Sequence, residues 1–198
     1  MRSMRLAKRE INDEAELQKL VEDCQVLRVG TRDDEGMFIV PVNFGVSWHG
    51  RKAAAERGEP IASFYVHSAR EGRKATCWSA GGAAGAPVAV ELDRDGGNIT
   101  GSYACAYSRA YASVMGSGRV FAVSDEAERA YALERIMAHT APSAPATFTP
   151  AAIARVAIFR IDVTHLTGKK REPKAQPNGF SVRESLFWHN DSDMHDFK

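Results

Sequence analysis

Cysteine is scarce and poorly placed for chemistry. Cys24, Cys77 and Cys105 are the only three in 198 residues, and no two form a C-x-x-C pair. Three dispersed thiols argue against a disulfide framework or a cysteine zinc site and suit a reducing compartment such as the cytoplasm. Excess charge of either sign is also missing: 26 basic residues face 25 acidic ones, for a net charge of +1. The basic surplus typical of nucleic-acid binders is therefore absent. No apolar run approaches the roughly 18 residues that a membrane helix needs. The first ten residues hold no apolar core for a signal peptide. No internal repeat is visible. The expectation is a soluble cytoplasmic chain with no nucleic-acid or membrane partner, its 44% hydrophobic content being ample for one buried core.

What is present is mostly alternation. Phe38, Val40, Val42, Phe44, Val46 and Trp48 fall on every second position, giving one unbroken apolar face. Met37, Ile39, Pro41, Asn43, Gly45 and Ser47 take the other face, and Pro41 marks an edge or a bulge because it cannot donate to a ladder. Val26 to Thr31, Ala62 to His67, Val88 to Leu92, Tyr111 to Val123 and the alternating Ala157, Phe159, Ile161 and Val163 read as further strands. Asp33 to Gly36 and Asp95 to Asn98 read as turns, and Gly116 with Gly118 as a bulge or sharp bend. His49 to Pro60 is polar and reads as an exposed hairpin insertion.

Helical spacing is confined to a few places. Asp13 and Glu16 form a capping-box pattern ahead of Leu17, Leu20, Val21 and Cys24, which predicts a helix over about Glu14 to Asp23. A second helix should begin near Ala69 and end at Gly81, Gly82 and Gly85. A third, amphipathic one follows from Asp125 to about His139, and Thr149-Pro150 caps a short turn. Five or six strands with one long helix inserted late predict an α+β, mainly β, domain, most easily a closed barrel with flanking helices. It should occupy residues 1–168, with a polar tail or extension over 169–198. In that tail His189, Asp191, Asp193 and His195 have metal-ligand chemistry, but a solvated polar tail is the preferred reading and no metal site is assigned.

The segment from Phe64 to Lys74 carries the most chemistry. A strand ends at His67-Ser68, and a helix start nearby would offer unpaired N–H groups and a positive dipole end to an anion. Ser68 adds a hydroxyl, Gly72 allows close backbone approach, and Arg73 and Lys74 add positive charge. The same residues also fit a ligand-free account. Ser68-x-x-Glu71 is a capping box, Arg73 and Lys74 suit a solvated helix face, and His67 suits a strand-end histidine bonded to backbone.

Four segments in order resolve this by likeness: Ile39 to Gly45, Phe64 to Lys74, Ala104 to Arg119 and Phe159 to Lys169. Together they resemble the Nim-type nitroimidazole-resistance group of the FMN-binding split-barrel family, which is related to pyridoxamine 5'-phosphate oxidase. The resemblance spans roughly Arg9 to Lys170. It implies a split β-barrel and a homodimer with flavin sites at its interface. It also implies an FMN-dependent oxidoreductase acting on a small electron-poor, nitroaromatic-like substrate. On matching positions, Val40, Pro41, Val42 and Asn43 line the isoalloxazine, and His67 and Ser68 lie beside the ribityl chain and ring edge. Arg73 and Lys74 hold the phosphate, while Tyr107, Tyr111, Ser113 and Val114 line the site, from the same chain or from the partner. His67 is the candidate proton donor, as histidine titrates near neutral pH. FAD or haem in place of FMN, and a non-catalytic flavin-binding or storage role, stay open. The long segment from about Trp48 to Pro60 and the Ala- and Gly-rich Ser79 to Gly85 depart from the family pattern.

Overall fold

A computed structural model describes residues 4–145 and 147–173. The chain order is β1 (Glu10–Ile11), α1 (Glu14–Asp23), β2 (Leu27–Asp33), β3 (Gly36–Val42), β4 (Gly45–Trp48), α2 (Gly50–Arg57), β5 (Ala62–Ser68) and α3 (Arg73–Ala80). It continues through β6 (Ala86–Ile99), β7 (Ser108–Ala122), α4 (Glu126–Thr140), α5 (Pro150–Ala154) and β8 (Ala157–Arg171). Every strand pair is antiparallel, in the order β3-β2-β6-β7-β8-β5-β4, with β1 beside β8. The outermost strands of that path, β3 and β4, are neighbours in sequence, joined only by Asn43 and Phe44. The sheet therefore curls until its two ends meet at one bend, which makes a split β-barrel.

The long alternating run thus forms two strands. Its first half pairs with β2 and its second half with β5, so the apolar face keeps facing inward while the hydrogen-bond partners change. Pro41 sits on β3, an edge strand, as its missing N–H requires.

The helices follow their caps. Asp13 Oδ1 accepts the Ala15 N–H at 2.9 Å, Asp125 Oδ1 that of Glu128 at 2.8 Å, and Thr149 Oγ1 that of Ala152 at 3.2 Å. The bulge expected at Gly116 and Gly118 lies between Ser117 and Gly118, where the β7–β8 register shifts.

Four expectations need correction. Residues 49–60 hold helix α2 in place of a hairpin. Ala53, Ala54 and Ala55 have the highest helix propensity, and Gly58 ends the helix at φ 69°. Asp95 to Asn98 is a bulge inside β6, because β6 continues to pair with β7 on both sides of it. β8 runs on to Arg171, where it pairs with Tyr111, past the change of composition at Thr167. The described residues also form eight strands, where five or six were expected. The His189, Asp191, Asp193 and His195 cluster lies outside the described residues.

The barrel interior is filled by Phe44, Phe64, Trp78 and Phe159, closed at one side by Leu17, Leu20 and Val21 of α1. Each such side chain contributes about 1.5–3 kcal/mol on burial. A smaller core lies outside the barrel, where α4 covers Tyr65 and Ile158 with Ala132, Leu133 and Ile136. No helix among the described residues is long and apolar enough to cross a membrane.

Candidate functional site

The site begins where the barrel splits. Gly45 of β4 faces Tyr65 of β5 in antiparallel register. Two residues before Gly45, at Asn43, the chain swings away towards β2, and His67 lies two residues beyond Tyr65 on β5. The Asn43 and His67 side chains are exposed. From the far side of the gap, α3 leans back on β3. Arg73 places its guanidinium carbon 4.3 Å from the Phe38 ring centroid and donates to the Gly36 carbonyl at 3.3 Å. The mouth of the split is thus bordered by β3, by the end of β5 and by the start of α3.

The helix starts later than its capping-box pattern predicts. α3 begins at Arg73 and its N-cap is Gly72, at φ 104° and with no side chain to cap the first turn. The Ser68-x-x-Glu71 capping box is therefore not formed. Ala69 to Gly72 is a loop, because glycine alone readily supplies the positive φ with which it turns into the helix. The first N–H groups of α3 are left without a side-chain acceptor.

Among the described residues three polar ones are buried: Thr31, Ser63 and Ser68. Thr31 accepts from the Trp78 indole at 3.0 Å, and Ser63 donates to Asp162 at 2.8 Å. Ser68, only 8% exposed, makes no side-chain hydrogen bond among the described residues. Lys74 resembles it. Its ammonium lies 5.5 Å from the Trp78 ring centroid, and burial pushes its pKa down. No described carboxylate is within 4 Å of Lys74. Arg73 differs, since its Nε donates to Asp33 Oδ2 and its Nη2 to Oδ1, both at 2.7 Å.

The remaining residues expected at the site divide by face. Val42 and Val114 turn their side chains into the core and offer a ligand only backbone. Val40 packs partly against that core, while Pro41 lies exposed on the outer face of β3. On β7, Tyr111 and Ser113 alternate with buried Val114 and so share the outer face, and Tyr107 is exposed just before the strand. Tyr65 shares its side of β5 with His67 but does not face the cleft. It is buried beneath α4, its ring 5.6 Å from Tyr131, and burial pushes its pKa up to about 12.

Sequence reasoning missed the breadth of the outer face. Met37, Ile39 and Met115 are 82%, 70% and 63% exposed. Register sets Ile39 beside Gly30 and Ala89, and Pro41 beside Arg28, Glu91 and Met115. The face is apolar along β3 and at Met115, small at Gly30 and Ala89, and crossed by the Arg28–Glu91 ion pair. The Met37-x-Ile39-x-Pro41 alternation was the available signal, but it reads equally as the outside of any strand.

An antiparallel barrel split at one bend, with a helix start set in the gap, is the split-barrel class. Over residues 13–170 the chain matches the model of the pyridoxamine 5'-phosphate oxidase family, and it belongs to that family. Among solved structures it is similar to a protein from Bacteroides thetaiotaomicron assigned to 5-nitroimidazole antibiotic resistance. That likeness has 25% identity and a TM-score of 0.62 over 81% of this chain and 86% of the other. It is also similar in fold to a flavocytochrome from Azotobacter vinelandii, with 17% identity and a TM-score of 0.66 over 99% of this chain and 91% of the other. An FAD- and haem-binding protein from Mycobacterium smegmatis gives 16% identity and a TM-score of 0.63, covering 85% and 77%. No curated protein matches the chain.

Proposed function

We propose that this protein binds a flavin, FMN in the first instance, and uses it to reduce small electron-poor compounds of the nitroaromatic kind. The observation that carries the reading is the pair of unspent polar groups beside the start of α3. The Ser68 hydroxyl, which solvent reaches, and the half-buried Lys74 ammonium have no side-chain partner among the described residues, and a phosphate monoester accepts from both. The uncapped first turn of α3 adds backbone donors at the same place. Family membership and the FAD-binding relatives support a flavin over other phosphates.

Bound there, a flavin supplies the electron transfer, and the chain supplies binding, orientation and protons. Ser68 and Lys74 hold the phosphate end. Val40 to Val42 end β3 and Asn43 follows, within reach of a ring extended from that anchor, and His67 stands exposed near the end of β5. A histidine there can give a proton to a reduced substrate, a role that typically accounts for about 10²–10⁴-fold in rate.

A second copy completes the site. Three inter-strand steps separate β3 from β7, which at the usual spacing is about 14 Å. Tyr107, Tyr111 and Ser113 therefore reach a flavin lying on β3 most readily from a partner chain. The exposed Met37, Ile39 and Met115 give such a partner an apolar face to cover.

The test is acceptor reduction per bound FMN in His67→Ala, with a reduced nicotinamide as donor and a nitroaromatic as acceptor. Full FMN occupancy with a rate lower by about 10²–10⁴-fold supports the enzyme reading. A wild type that holds flavin but turns over no acceptor indicates a store.

A further inference from the structure

A second cleft opens away from the split, along the free edge of β4 between α1 and α4, with a volume of about 610 Å³. It shares no lining residue with β3, the end of β5 or α3. Tyr131, Arg135, Ala138 and His139 line it from one face of α4, at the helical spacing i, i+4, i+7 and i+8, and Gln18 and Glu22 line it from α1. Gly45 seats the longer helix. A Cβ there would lie 2.3 Å from the Arg135 carbonyl carbon, so α4 rests on bare backbone of β4 at that residue.

Most donors in this cleft are already used. The Trp48 indole donates to Glu14 Oε1 at 3.1 Å, and the Gln18 amide donates to Glu22 Oε1 at 2.8 Å. A backbone carbonyl can only accept, so His139 Nε2 carries the hydrogen it gives to the Glu22 carbonyl at 3.0 Å. Ser63 spends its own hydrogen on Asp162, so His49 Nε2 donates to Ser63 Oγ at 3.2 Å. Two donors stay unspent. The Ser47 and Tyr131 hydroxyls lie 2.7 Å apart and share one hydrogen, which leaves the second one free. Arg135, half-buried, has no ion pair and no side-chain hydrogen bond among the described residues, and its guanidinium carbon stands 6.0 Å from the Tyr131 ring centroid.

We propose that this cleft binds a small organic monocarboxylate with an aromatic or apolar body, its carboxylate held by the Arg135 fork and the spare hydroxyl hydrogen. A guanidinium meets a carboxylate with two parallel bonds, which suits one free arginine. The rings of Trp48, Tyr131 and His139 give the body its walls, and the volume is that of an ordinary small-molecule site. Among the described residues Glu22 is the one carboxylate of the lining. It sets the anion against α4, and it repels a phosphate dianion more than a single charge. The site stands apart from the flavin reading, because the two clefts have no residue in common.

The experiment is equilibrium dialysis of the full chain against benzoate, with FMN in excess to fill the flavin cleft. Benzamide, the neutral isostere, and inorganic phosphate serve as comparisons. The parent should bind one benzoate per chain, and benzamide and phosphate far more weakly. Arg135→Gln should weaken benzoate by about 10- to 100-fold, the loss of a charge-assisted pair. It should leave the thermal midpoint and FMN affinity unchanged, since the side chain holds nothing else. Arg135→Lys, which keeps the charge without the fork, should recover part of that loss. Ser47→Ala combined with Tyr131→Phe removes the spare hydrogen and should weaken benzoate by about 2- to 10-fold, the share of one neutral bond. The proposal is overturned if benzamide binds as well as benzoate, if Arg135→Gln binds benzoate like the parent, or if the parent binds none at millimolar concentration. Phosphate held more tightly than benzoate would overturn the carboxylate assignment, and benzoate released as FMN is added would place it in the flavin cleft and overturn the second site. A parent that binds benzoate but no FMN sinks the flavin reading and upholds this site.

Discussion

The indole N–H of Trp78 donates to Thr31 Oγ1 at 3.0 Å inside the barrel, tying helix α3 to strand β2 where no water reaches. Trp78 is wholly buried and packs edge-on against Phe159 at 5.2 Å. The bond thus sets the depth at which α3, and with it Lys74, sits.

Thr31→Val keeps the volume but leaves the indole donor unpaired. It should lower unfolding free energy by about 1–3 kcal/mol, read from the urea midpoint at constant slope. FMN affinity should fall with it, because α3 loses its tether. A variant as stable as the parent would show that the indole finds another acceptor.

Gly118 stands at the β7–β8 bulge, where a Cβ would lie 2.0 Å from the Asp162 carbonyl oxygen. That neighbour is paired backbone and cannot swing aside. Gly118→Ala should destabilise by about 1–3 kcal/mol or more, the cost of overpacking. Thermal unfolding at the parent's midpoint would mean that the two strands separate freely there.

Much of this fold is written in residues that act locally. Asp13, Asp125 and Thr149 mark helix starts because a cap needs only its own next turn, and β8 alternates because Phe159, Ile161 and Val163 face the core while Arg160, Asp162 and Thr164 face outward. The bend at Asn43 is not legible in the same way. Phe38 to Trp48 keeps one inward face across a change of partner, and only the three-dimensional path shows that β2 holds one half and β5 the other. At the site, His67, Ser68 and Lys74 are visible from their order in sequence. The Arg73–Asp33 pair is not, because Asp33 is 40 residues away and reads as an ordinary turn aspartate.

Hydrogen bonding to Arg73 holds the Asp33 carboxyl below its ordinary range. With a lowered folded pKa, the contribution to stability is present above the unfolded value of about 3.8 and is lost as pH falls through the lower folded value. The parent should therefore exceed Asp33→Asn in stability at neutral pH, and the two should converge in acid. Denaturant unfolding of both across that range checks this, and a gap independent of pH would assign the loss to something other than the ion pair.

The outer face makes a prediction about assembly. A shared site requires a dimer burying about 2,000 Å² or more. Ile39→Asp places a charge in the middle of the apolar strip and should shift the chain to monomer in sedimentation while lowering flavin occupancy. A parent that sediments as a monomer with full flavin occupancy would rule out the shared site.

The central claim is that this split barrel holds a flavin by its phosphate, and the most direct measurement is the visible spectrum of the purified protein followed by titration with FMN. The account predicts flavin absorption, or its recovery on adding FMN, saturating at one FMN per chain and lost in Lys74→Gln at the same FMN concentration. A Soret band in place of the flavin bands, or no binding of FMN by the parent, would contradict it.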